Sequence, residues 1–299
     1  MQGVLSSVAP STLRAYVAAM ERFVGFTWGA GGGAALPPSE DEVLRYLVHL
    51  RVLGRGPCSM RRELAAVSFF CKALGFPDPC RGFIPRRAVE GWARLAPPPP
   101  DRRRPISLSI LRRLLGVLPD CCWSPFEARL FHTAFTLAFF GALRVGELVA
   151  GSRDDPSGRA LSFSDVSWSP KQVSITIRRS KTDQRGRGVT LCLRASRRGS
   201  VCPVRAVGSY LGIRPPLQGP FLIHRDHSPL TRYQFASLLR ACLEAARLPP
   251  AEFGTHSFRI RVATEAASIS LPDKTIMAIG RWRSGAFRSY IRPSGGGSH

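Results

Sequence analysis

The chain has 299 residues, of which 44% are hydrophobic, and it carries a formal net charge of +23. This length and composition exclude a chain that is disordered throughout, since one or two domains with full cores can form. Basic side chains exceed acidic ones by 5 in residues 1–100 and by 18 in residues 101–299. Such a surplus favours a polyanionic partner such as a nucleic acid, although a GC-rich genome also enriches arginine.

The eight cysteines show no CxxC pair and no Cys/His spacing suited to zinc, so they predict reduced thiols in an intracellular protein. The N-terminus lacks a secretion signal, and the longest apolar stretch, LFHTAFTLAFFGAL at 130–143, is too short and polar to span a bilayer. We therefore expect no membrane association. The expected location is the nucleus in a eukaryote and the cytoplasm otherwise, and the protein should not be secreted.

Four segments of the first hundred residues carry helix signals. PSTLRAYVAAMERFVGF has a cap candidate in Ser11, and SEDEVLRYLVHLRVLG offers Ser39 and Glu42 as a capping box. SMRRELAAVSFFCKALG has Ser59 before it and Gly75 at its end, and PRRAVEGWARL is a weaker fourth candidate. These signals predict a small all-helical bundle.

The stretch APPPPDRRRPI at 96–106 is typical of an extended linker. We therefore predict a helical domain at 1–98, a linker at 99–106, a second domain at 107–293 and a flexible tail at 294–299.

The second domain begins with predicted helices at about 107–117 and 125–140. The next segments, LSFSDVSW, QVSITIRRS and VTLCL, are short and rich in β-branched residues, and KTDQRGRG between the last two suits a hairpin turn. From residue 203 the pattern returns to helix, ending with AFRSYIR. The predicted fold class is mainly α with a small antiparallel β-sheet.

The stretch IGRWRSGAFRSYIRP at 279–293 contains a tyrosine, Tyr290, among several arginines. Phe287, Tyr290 and Ile291 fall at helical spacing, so one reading makes the tyrosine an ordinary amphipathic core residue. Another reading makes it a nucleophile toward a phosphodiester. That chemistry requires a way to favour the phenolate, cations aimed at the phosphate oxygens and a proton donor for the leaving oxygen.

The sequence contains candidates for each of these roles. Arg144 follows the apolar run in GALRVGELV, and Glu147 lies three residues later, so we expect a half-buried arginine held by a carboxylate. His256 and Arg259 in THSFRIRVAT share one helix face. Lys181 in the predicted hairpin turn and Trp282 near the C-terminus complete the set, although each residue taken alone also has an ordinary structural explanation.

The order Arg, Lys, HxxR, Trp, Tyr resembles the tyrosine recombinases, the family of phage integrases and related site-specific DNA recombinases. PSTLRAYVAAMERF resembles the start of their helical, SAM-like core-binding domain, and GALRVGEL, HSFR and GRW followed by YIR resemble their catalytic-domain signatures. More narrowly, SKTDQRGRG, LTRYQF, GTHSFRI and IGRWRSGAFRSYIRP are similar to recombinases of DIRS and Ngaro retroelements.

The resemblance implies a recombinase or integrase of a mobile element. Such an enzyme cleaves and rejoins double-stranded DNA without metal or other cofactor, as a homotetramer on two duplexes. Tyr290 would form a 3′-phosphotyrosine. Arg144 and Arg259 would neutralise the scissile phosphate. The other implied roles are proton transfer for His256, protonation of the leaving 5′ oxygen for Lys181, packing of the site for Trp282 and orientation of Arg144 for Glu147. Further arginines are expected to contact DNA: Arg102, Arg103, Arg104, Arg178, Arg179 and Arg281.

The sequence departs from the family pattern in three places. Arg261 stands where a small residue is usual, and it is expected either to crowd helix packing or to add a DNA contact. Trp282 and Tyr290 are eight residues apart where many prokaryotic members have nine. Nine residues follow Tyr290, which predicts that the C-terminal helix lent by many relatives to a neighbouring protomer is absent or very short.

Three other functions remain compatible with parts of the sequence. A metal-dependent nuclease or transposase would need clustered carboxylates, for which the candidates are Asp154, Asp155, Asp165 and Asp183. A type IB topoisomerase would use much the same phosphate chemistry. A DNA-binding clamp that keeps the fold but no longer cuts would bind through phosphate contacts whether or not Tyr290 reacts.

Overall fold

The computed structural model describes residues 2–29, 36–96, 101–155, 157–178, 188–196, 201–282 and 284–292. The chain forms two compact units, Met1–Asp101 and Arg102–His299. The predicted fold class is confirmed, because the described residues are mostly helical and form one small antiparallel sheet. The predicted tail at 294–299 lies outside the described residues.

The first unit is all-helical. Its helices are α1 (Gln2–Leu5), α2 (Pro10–Gly29), α3 (Glu40–Val52), α4 (Pro57–Ala73) and α5 (Phe83–Leu95). Among the described residues, Phe23, Tyr46, Leu47, Met60 and Val67 are central members of its buried apolar core. Since the core is drawn from α2, α3 and α4, these helices depend on one another for the burial of their apolar faces.

The helix ends of the first unit follow the sequence signals only in part. The capping box of α3 is confirmed: Glu42 N donates to Ser39 Oγ at 3.1 Å and Ser39 N donates to Glu42 Oε2 at 2.7 Å. Gly75 follows α4 with a φ of +78°, as expected of a glycine that ends a helix. Ser11 and Ser59 are not caps, because α2 begins earlier at Pro10 and α4 is preceded by Gly56.

The second unit surrounds the helix that the long apolar run predicts. Its helices are α6 (Leu108–Cys121), α7 (Pro125–Phe140), α8 (Val145–Leu148), α9 (Pro203–Leu211), α10 (Arg232–Ala245), α11 (Ser257–Ser268) and α12 (Asp273–Gly280). Most of α7 is buried, and it packs against α6 and α9. No helix among the described residues has the length and apolarity that a bilayer crossing requires. The buried residues of α7 place the apolar run at the centre of the core of this unit.

The small sheet of the second unit has the order β1 (Val166–Trp168), β2 (Gln172–Ile177) and β3 (Val189–Arg194), with antiparallel neighbours. Ile177 pairs with Val189, so β2 and β3 are arranged as the predicted hairpin requires. The turn between them at 179–187 lies outside the described residues. The prediction for LSFSDVSW was wrong in extent, because Phe163–Asp165 forms a 3-10 turn and only the last three residues are a strand.

The second unit begins within the segment predicted as a linker. Ile106 is completely buried in the core of this unit, and its N–H donates to the carbonyl of Ser257 at 3.2 Å. Arg104 N likewise donates to the carbonyl of Glu252 at 2.6 Å. Residues 102–106 therefore pack as part of the second unit, because a buried isoleucine follows the proline run closely and fixes the chain there.

A buried ion pair lies in the second unit away from the candidate site described below. His224 Nδ1 lies 2.9 Å from Glu127 Oε2, and both side chains are buried. Burial alone would lower the pKa of His224, but the hydrogen bond and the charge of Glu127 outweigh it and raise the pKa above its usual value. The stabilisation from the raised pKa is thus fully present below the pKa of the unfolded state, near 6.5, and is lost as the pH rises through the folded-state pKa.

We therefore expect Glu127→Gln to destabilise the second unit more at pH 5.5 than at pH 9. Loss of one partner of a buried pair costs about 3–5 kcal/mol of folding stability, and most of this loss should appear at pH 5.5. Thermal unfolding at both pH values measures the difference. Glu244→Gln, which alters a carboxylate 54% exposed and paired with Arg240, is the control. Equal destabilisation by Glu127→Gln at the two pH values would contradict the prediction.

Candidate active site

Arg144 emerges from the core directly after α7. Its backbone precedes α8, and its side chain is 21% exposed, as the apolar run before it predicts. Arg144 Nη1 donates to Glu147 Oε1 at 2.7 Å, and Arg144 N donates to Glu147 Oε2 at 3.0 Å. The buried carboxylate thus fixes both the backbone and the guanidinium group of Arg144.

Arg259 is the most deeply buried charge of this region. It lies in the first turn of α11 and is 1% exposed. Nη1 donates to the carbonyl of Ala142 at 2.5 Å, Nη2 donates to the carbonyl of Gly280 at 2.7 Å, and the guanidinium carbon lies 4.8 Å from the ring centroid of Trp282. Burial, and next the charge of Arg144, lower the pKa of Arg259 to about 10. The guanidinium therefore remains charged at neutral pH.

His256 directly precedes α11, where the helix dipole favours an anion. The turn before the helix is closed by Ser257, whose N–H donates to the carbonyl of Gly254 at 2.9 Å and whose Oγ accepts from Gly254 N at 3.1 Å. The imidazole centroid lies 6.3 Å from that of Tyr290. His256 and Arg259 thus flank Tyr290 from one end of α11.

Tyr290 ends a short helix, Gly285–Tyr290, which is of the 3-10 type. Three residues per turn put Phe287 and Tyr290 on the same face, and both pack toward Trp282, with centroid distances of 6.0 and 5.7 Å. The backbone carbonyl of Tyr290 accepts from Thr264 Oγ1 of α11 at 3.2 Å. The tyrosine is half-buried, so it is neither a core residue nor freely exposed.

Trp282 is buried between α12 and this short helix. A Cβ at position 280 would lie 1.6 Å from the indole Cζ3, so Gly280 is required for the tryptophan to occupy its place. The same glycine supplies the carbonyl that Arg259 binds. The packing of Trp282 and the position of Arg259 are therefore coupled through one backbone residue.

Glu147 is shared by two arginines. Arg281 Nη2 donates to Glu147 Oε2 at 3.0 Å and to the carbonyl of Ala142 at 3.0 Å. Burial alone would raise the pKa of Glu147, but Arg281 and then the backbone and side chain of Arg144 lower it below its usual range. The carboxylate is therefore ionised at neutral pH. The site thus combines three guanidinium groups, those of Arg144, Arg259 and Arg281, with this one carboxylate. The resulting excess of positive charge favours the binding of an anion.

Comparison with known proteins shows which proteins this chain is similar to. No protein-family model matches the chain. Over 293 residues it is 26% identical to an integrase/recombinase XerD homolog of Selenomonas ruminantium, a match that covers 93% of this chain and 80% of the relative. This likeness supports the resemblance to the tyrosine recombinases that the motifs indicate. The DIRS and Ngaro subtype stays a prediction.

Several solved structures are similar to this chain in fold. A lambda integrase dimer bound to a COC′ core site has a TM-score of 0.62 at 14% identity, covering 100% of this chain and 79% of that one. The XerH site-specific recombinase bound to palindromic difH substrate, a post-cleavage complex, has a TM-score of 0.63 at 12% identity, covering 95% and 76%. The Tn1549 transposon integrase with circular intermediate DNA has a TM-score of 0.53 at 11% identity, covering 86% and 82%.

The structure brings together most of the residues predicted for catalysis. Arg144, Glu147, Arg259, Trp282 and Tyr290 are linked by the hydrogen bonds and ring contacts given above, with His256 beside the tyrosine. Two predicted residues, Lys181 and Arg179, lie outside the described residues. The eight-residue spacing of Trp282 and Tyr290 is compatible with direct contact between their rings, because the intervening 3-10 helix is compact.

Arg261 does not crowd the packing of α11. Its guanidinium carbon lies 3.9 Å from the ring centroid of Phe139, and it forms an ion pair with Glu265. Its side chain is 17% exposed. The expected crowding of the helix is therefore wrong, because the ring of Phe139 accommodates the large side chain. The alternative, a DNA contact by Arg261, stays a prediction.

The arginines expected to contact DNA differ in their surroundings. Arg102 is exposed and Arg103 is half-buried, whereas Arg104 forms an ion pair with Glu252 at 3.0 Å. Arg178 is 63% exposed and pairs with Asp165. Arg281 is an interior residue, because its side chain is only 12% exposed and its guanidinium binds Glu147; its expected contact with DNA stays a prediction.

Two of the carboxylates considered for a metal site, Asp155 and Asp165, are engaged separately. Asp155 accepts hydrogen bonds from the backbone of Gly151 and Ser157, whereas Asp165 pairs with Arg178. Within the described parts of the chain, no group of three or more His, Cys, Asp and Glu side chains could hold a metal ion. Asp183 lies outside those parts.

Sequence reasoning missed three backbone contributions to the site. The carbonyls of Ala142 and Gly280 hold Arg259, and Ala142 has a φ of +46°, which no sequence signal indicates for an alanine. Thr264 binds the backbone of Tyr290 from eight residues into α11. The only sequence signal for this contact is that Thr264 follows the HxxR motif by one helical turn or more on the same helix.

Proposed function

We propose that this chain is a site-specific DNA recombinase that cuts and rejoins DNA strands through a covalent bond between Tyr290 and a 3′ phosphate. The observation that carries the proposal is the half-buried Tyr290, whose ring contacts Trp282, beside the charged, buried Arg259, which also contacts Trp282. Arg259 is in turn connected to Arg144 through Ala142, Arg281 and Glu147. A tyrosine that served only to fill the core would not require nearby buried guanidinium groups in excess of the carboxylate that pairs with them.

In the proposed cleavage step, the phenol oxygen of Tyr290 attacks the phosphorus atom while the bond from phosphorus to the 5′ oxygen breaks. Arg144 and Arg259 neutralise the charge that develops on the non-bridging oxygens. The phenol proton leaves with the assistance of His256, and the 5′ oxygen receives a proton from Lys181. Rejoining reverses these steps, and it needs no external energy because one phosphoester replaces another.

The proposed substrate is double-stranded DNA. The cationic excess of 18 in residues 101–299 supplies non-specific attraction to the phosphate backbone. The solved structures similar to this chain include complexes with DNA. We further propose assembly of four protomers on two duplexes, a role in the integration of a mobile element and a nuclear location in a eukaryotic host or a cytoplasmic one otherwise.

Covalent capture tests the proposal directly. Wild-type protein is incubated with a library of nicked random duplexes, in which loss of the short product traps the intermediate, and nucleotide adducts are mapped by mass spectrometry after denaturation. We expect an adduct on Tyr290, and the captured strands would give the target sequence. DNA binding without an adduct, under conditions in which an active relative reacts, would favour the non-cutting clamp instead.

The role of Lys181 gives a separate prediction. A substrate whose 5′ leaving oxygen is replaced by sulfur has a leaving group that needs no protonation. We expect Lys181→Ala to cleave the normal substrate poorly, with a loss of about 10²–10⁴-fold typical of general acid catalysis, and to recover on the sulfur substrate. Lys171→Ala, which alters an exposed lysine before β2, is the control. A variant that is not rescued would show that Lys181 is not the general acid.

A further inference from the structure

Arg281 is held at a position where a glycine would serve the backbone better. It directly follows α12 with φ 56° and ψ 45°, the left-handed conformation that side-chain-bearing residues disfavour. A residue needed only to end the helix would be glycine or asparagine. The chain nevertheless places an arginine there and turns its side chain into the interior, where it is 12% exposed.

The contacts of Arg281 connect two groups that would otherwise be separate. Arg144 is held by Glu147, and Arg259 is held by the carbonyl of Ala142. Arg281 uses a single nitrogen, Nη2, to bind both of these acceptors, each at 3.0 Å. The hydrogen bonds therefore run without interruption from Arg144 through Glu147, Arg281 and Ala142 to Arg259.

A second strained residue occurs at the same place. Ala142 also has a positive φ, of +46°, and its carbonyl accepts from both Arg259 and Arg281. Strained backbone persists where surrounding contacts over-determine it, and it is common at functional sites. Here the two strained residues, Ala142 and Arg281, are hydrogen-bonded to each other, so this connection is one of the contacts that hold both backbones in their left-handed conformation.

We propose that Arg281 is a positioning residue, which joins the Arg144–Glu147 pair to Arg259 and so fixes the two phosphate-binding guanidinium groups relative to each other. This inference rests on the proposed function. Arg281 acts through Glu147 and Ala142 rather than on DNA. Its positive charge also keeps the carboxylate of Glu147 ionised, and Glu147 in turn holds Arg144.

Two substitutions at this position separate the guanidinium from the backbone conformation. Arg281→Gly removes the side chain and relieves the left-handed strain, so the protein should remain folded. Arg281→Lys keeps one cationic nitrogen, which is all that the two hydrogen bonds use. In the covalent capture assay we expect Arg281→Gly to slow adduct formation at least about 30-fold and Arg281→Lys to recover part of that loss, since removal of one preorganised donor costs up to about 10²–10³-fold.

Two further measurements distinguish positioning from a structural role or a DNA contact. A substrate with an uncharged methylphosphonate at the scissile position develops less charge that must be neutralised. On it, the reduction in the rate of adduct formation caused by Arg281→Gly should be severalfold smaller. A merely structural defect would slow both substrates equally. DNA affinity and its salt dependence should match those of wild type, whereas loss of a phosphate contact would reduce the slope of log K against log salt by about 0.9.

The outcomes are separable. No adduct from wild-type protein would overturn the proposed function and this inference together. An active wild type with equal rates for Arg281→Gly would overturn only the inference, as would an equal loss on the charged and uncharged substrates or a reduced salt slope. A loss confined to the charged substrate supports it.

Adding Arg281→Gly to a Glu147→Gln variant should then cause little further loss, because both changes break the same connection.

Discussion

Replacing Tyr290 by phenylalanine is expected to abolish covalent attachment to DNA completely while leaving DNA binding unchanged. The substitution removes one oxygen atom and keeps the ring that packs on Trp282 with a centroid distance of 5.7 Å. The short helix is also held through the backbone of Tyr290 by Thr264, so its position should not depend on the hydroxyl. Denaturing gels of the trapped adduct and a parallel binding titration measure the two properties.

The control is an exposed tyrosine of the same unit that lies outside the candidate site. Tyr233 lies in α10 and is 80% exposed. Tyr233→Phe should form the adduct at the wild-type rate. If Tyr290→Phe still formed an adduct, another residue would be the nucleophile and the proposed mechanism would be wrong. If Tyr290→Phe lost DNA binding as well, the hydroxyl would serve binding rather than covalent chemistry.

Arg259→Lys should reduce the rate of adduct formation by about 10²–10³-fold, the loss typical of removing a preorganised donor to a developing negative charge. Lysine preserves the charge but lacks the planar guanidinium, so one ammonium group cannot reach the carbonyls of Ala142 and Gly280 while also facing a phosphate. DNA affinity should change little, because the residue is 1% exposed and adds little to long-range attraction. Single-turnover cleavage and equilibrium binding give the comparison.

Arg259→Lys should also destabilise the protein, since a buried carbonyl left without a donor costs about 1–3 kcal/mol. Arg214 allows this effect to be separated from catalysis. It is buried, its guanidinium donates to the carbonyls of Pro215, Pro220 and Phe221, and it takes no part in the site. Arg214→Lys should lower the melting temperature comparably yet cleave normally at low temperature. Equal cleavage losses in both variants would mean that Arg259 acts only through stability.

Much of the fold could be predicted because local signals and tertiary packing agree. The Ser39–Glu42 box starts α3 where the sequence indicates, and the apolar run at 130–143 is the most buried helix region of the second unit. The failures occurred where two local signals compete. Pro10 and Pro57 are compatible with the first turn of a helix, so α2 and α4 begin before the serines that the sequence offers as caps.

The candidate site was predictable as a set of residue types but not as a geometry. Arg144, Glu147, His256, Arg259, Trp282 and Tyr290 were chosen from the sequence, and their roles remain predictions. The sequence could not place Arg281, because an exposed DNA contact and an interior ligand of Glu147 have the same local pattern. That choice depends on the left-handed turn after α12, which orients the side chain inward.

The sequence by itself determined the cationic character, the helical periodicity, the hairpin and the residues able to attack a phosphodiester and neutralise its charge. These properties depend on composition and on spacing within single elements. Only the tertiary structure decided which groups share acceptors: Arg259 and Arg281 meet at the carbonyl of Ala142, and Arg144 and Arg281 meet at Glu147. The physical reason is that burial leaves each charged group dependent on partners more than a hundred residues away, whose positions no local pattern encodes.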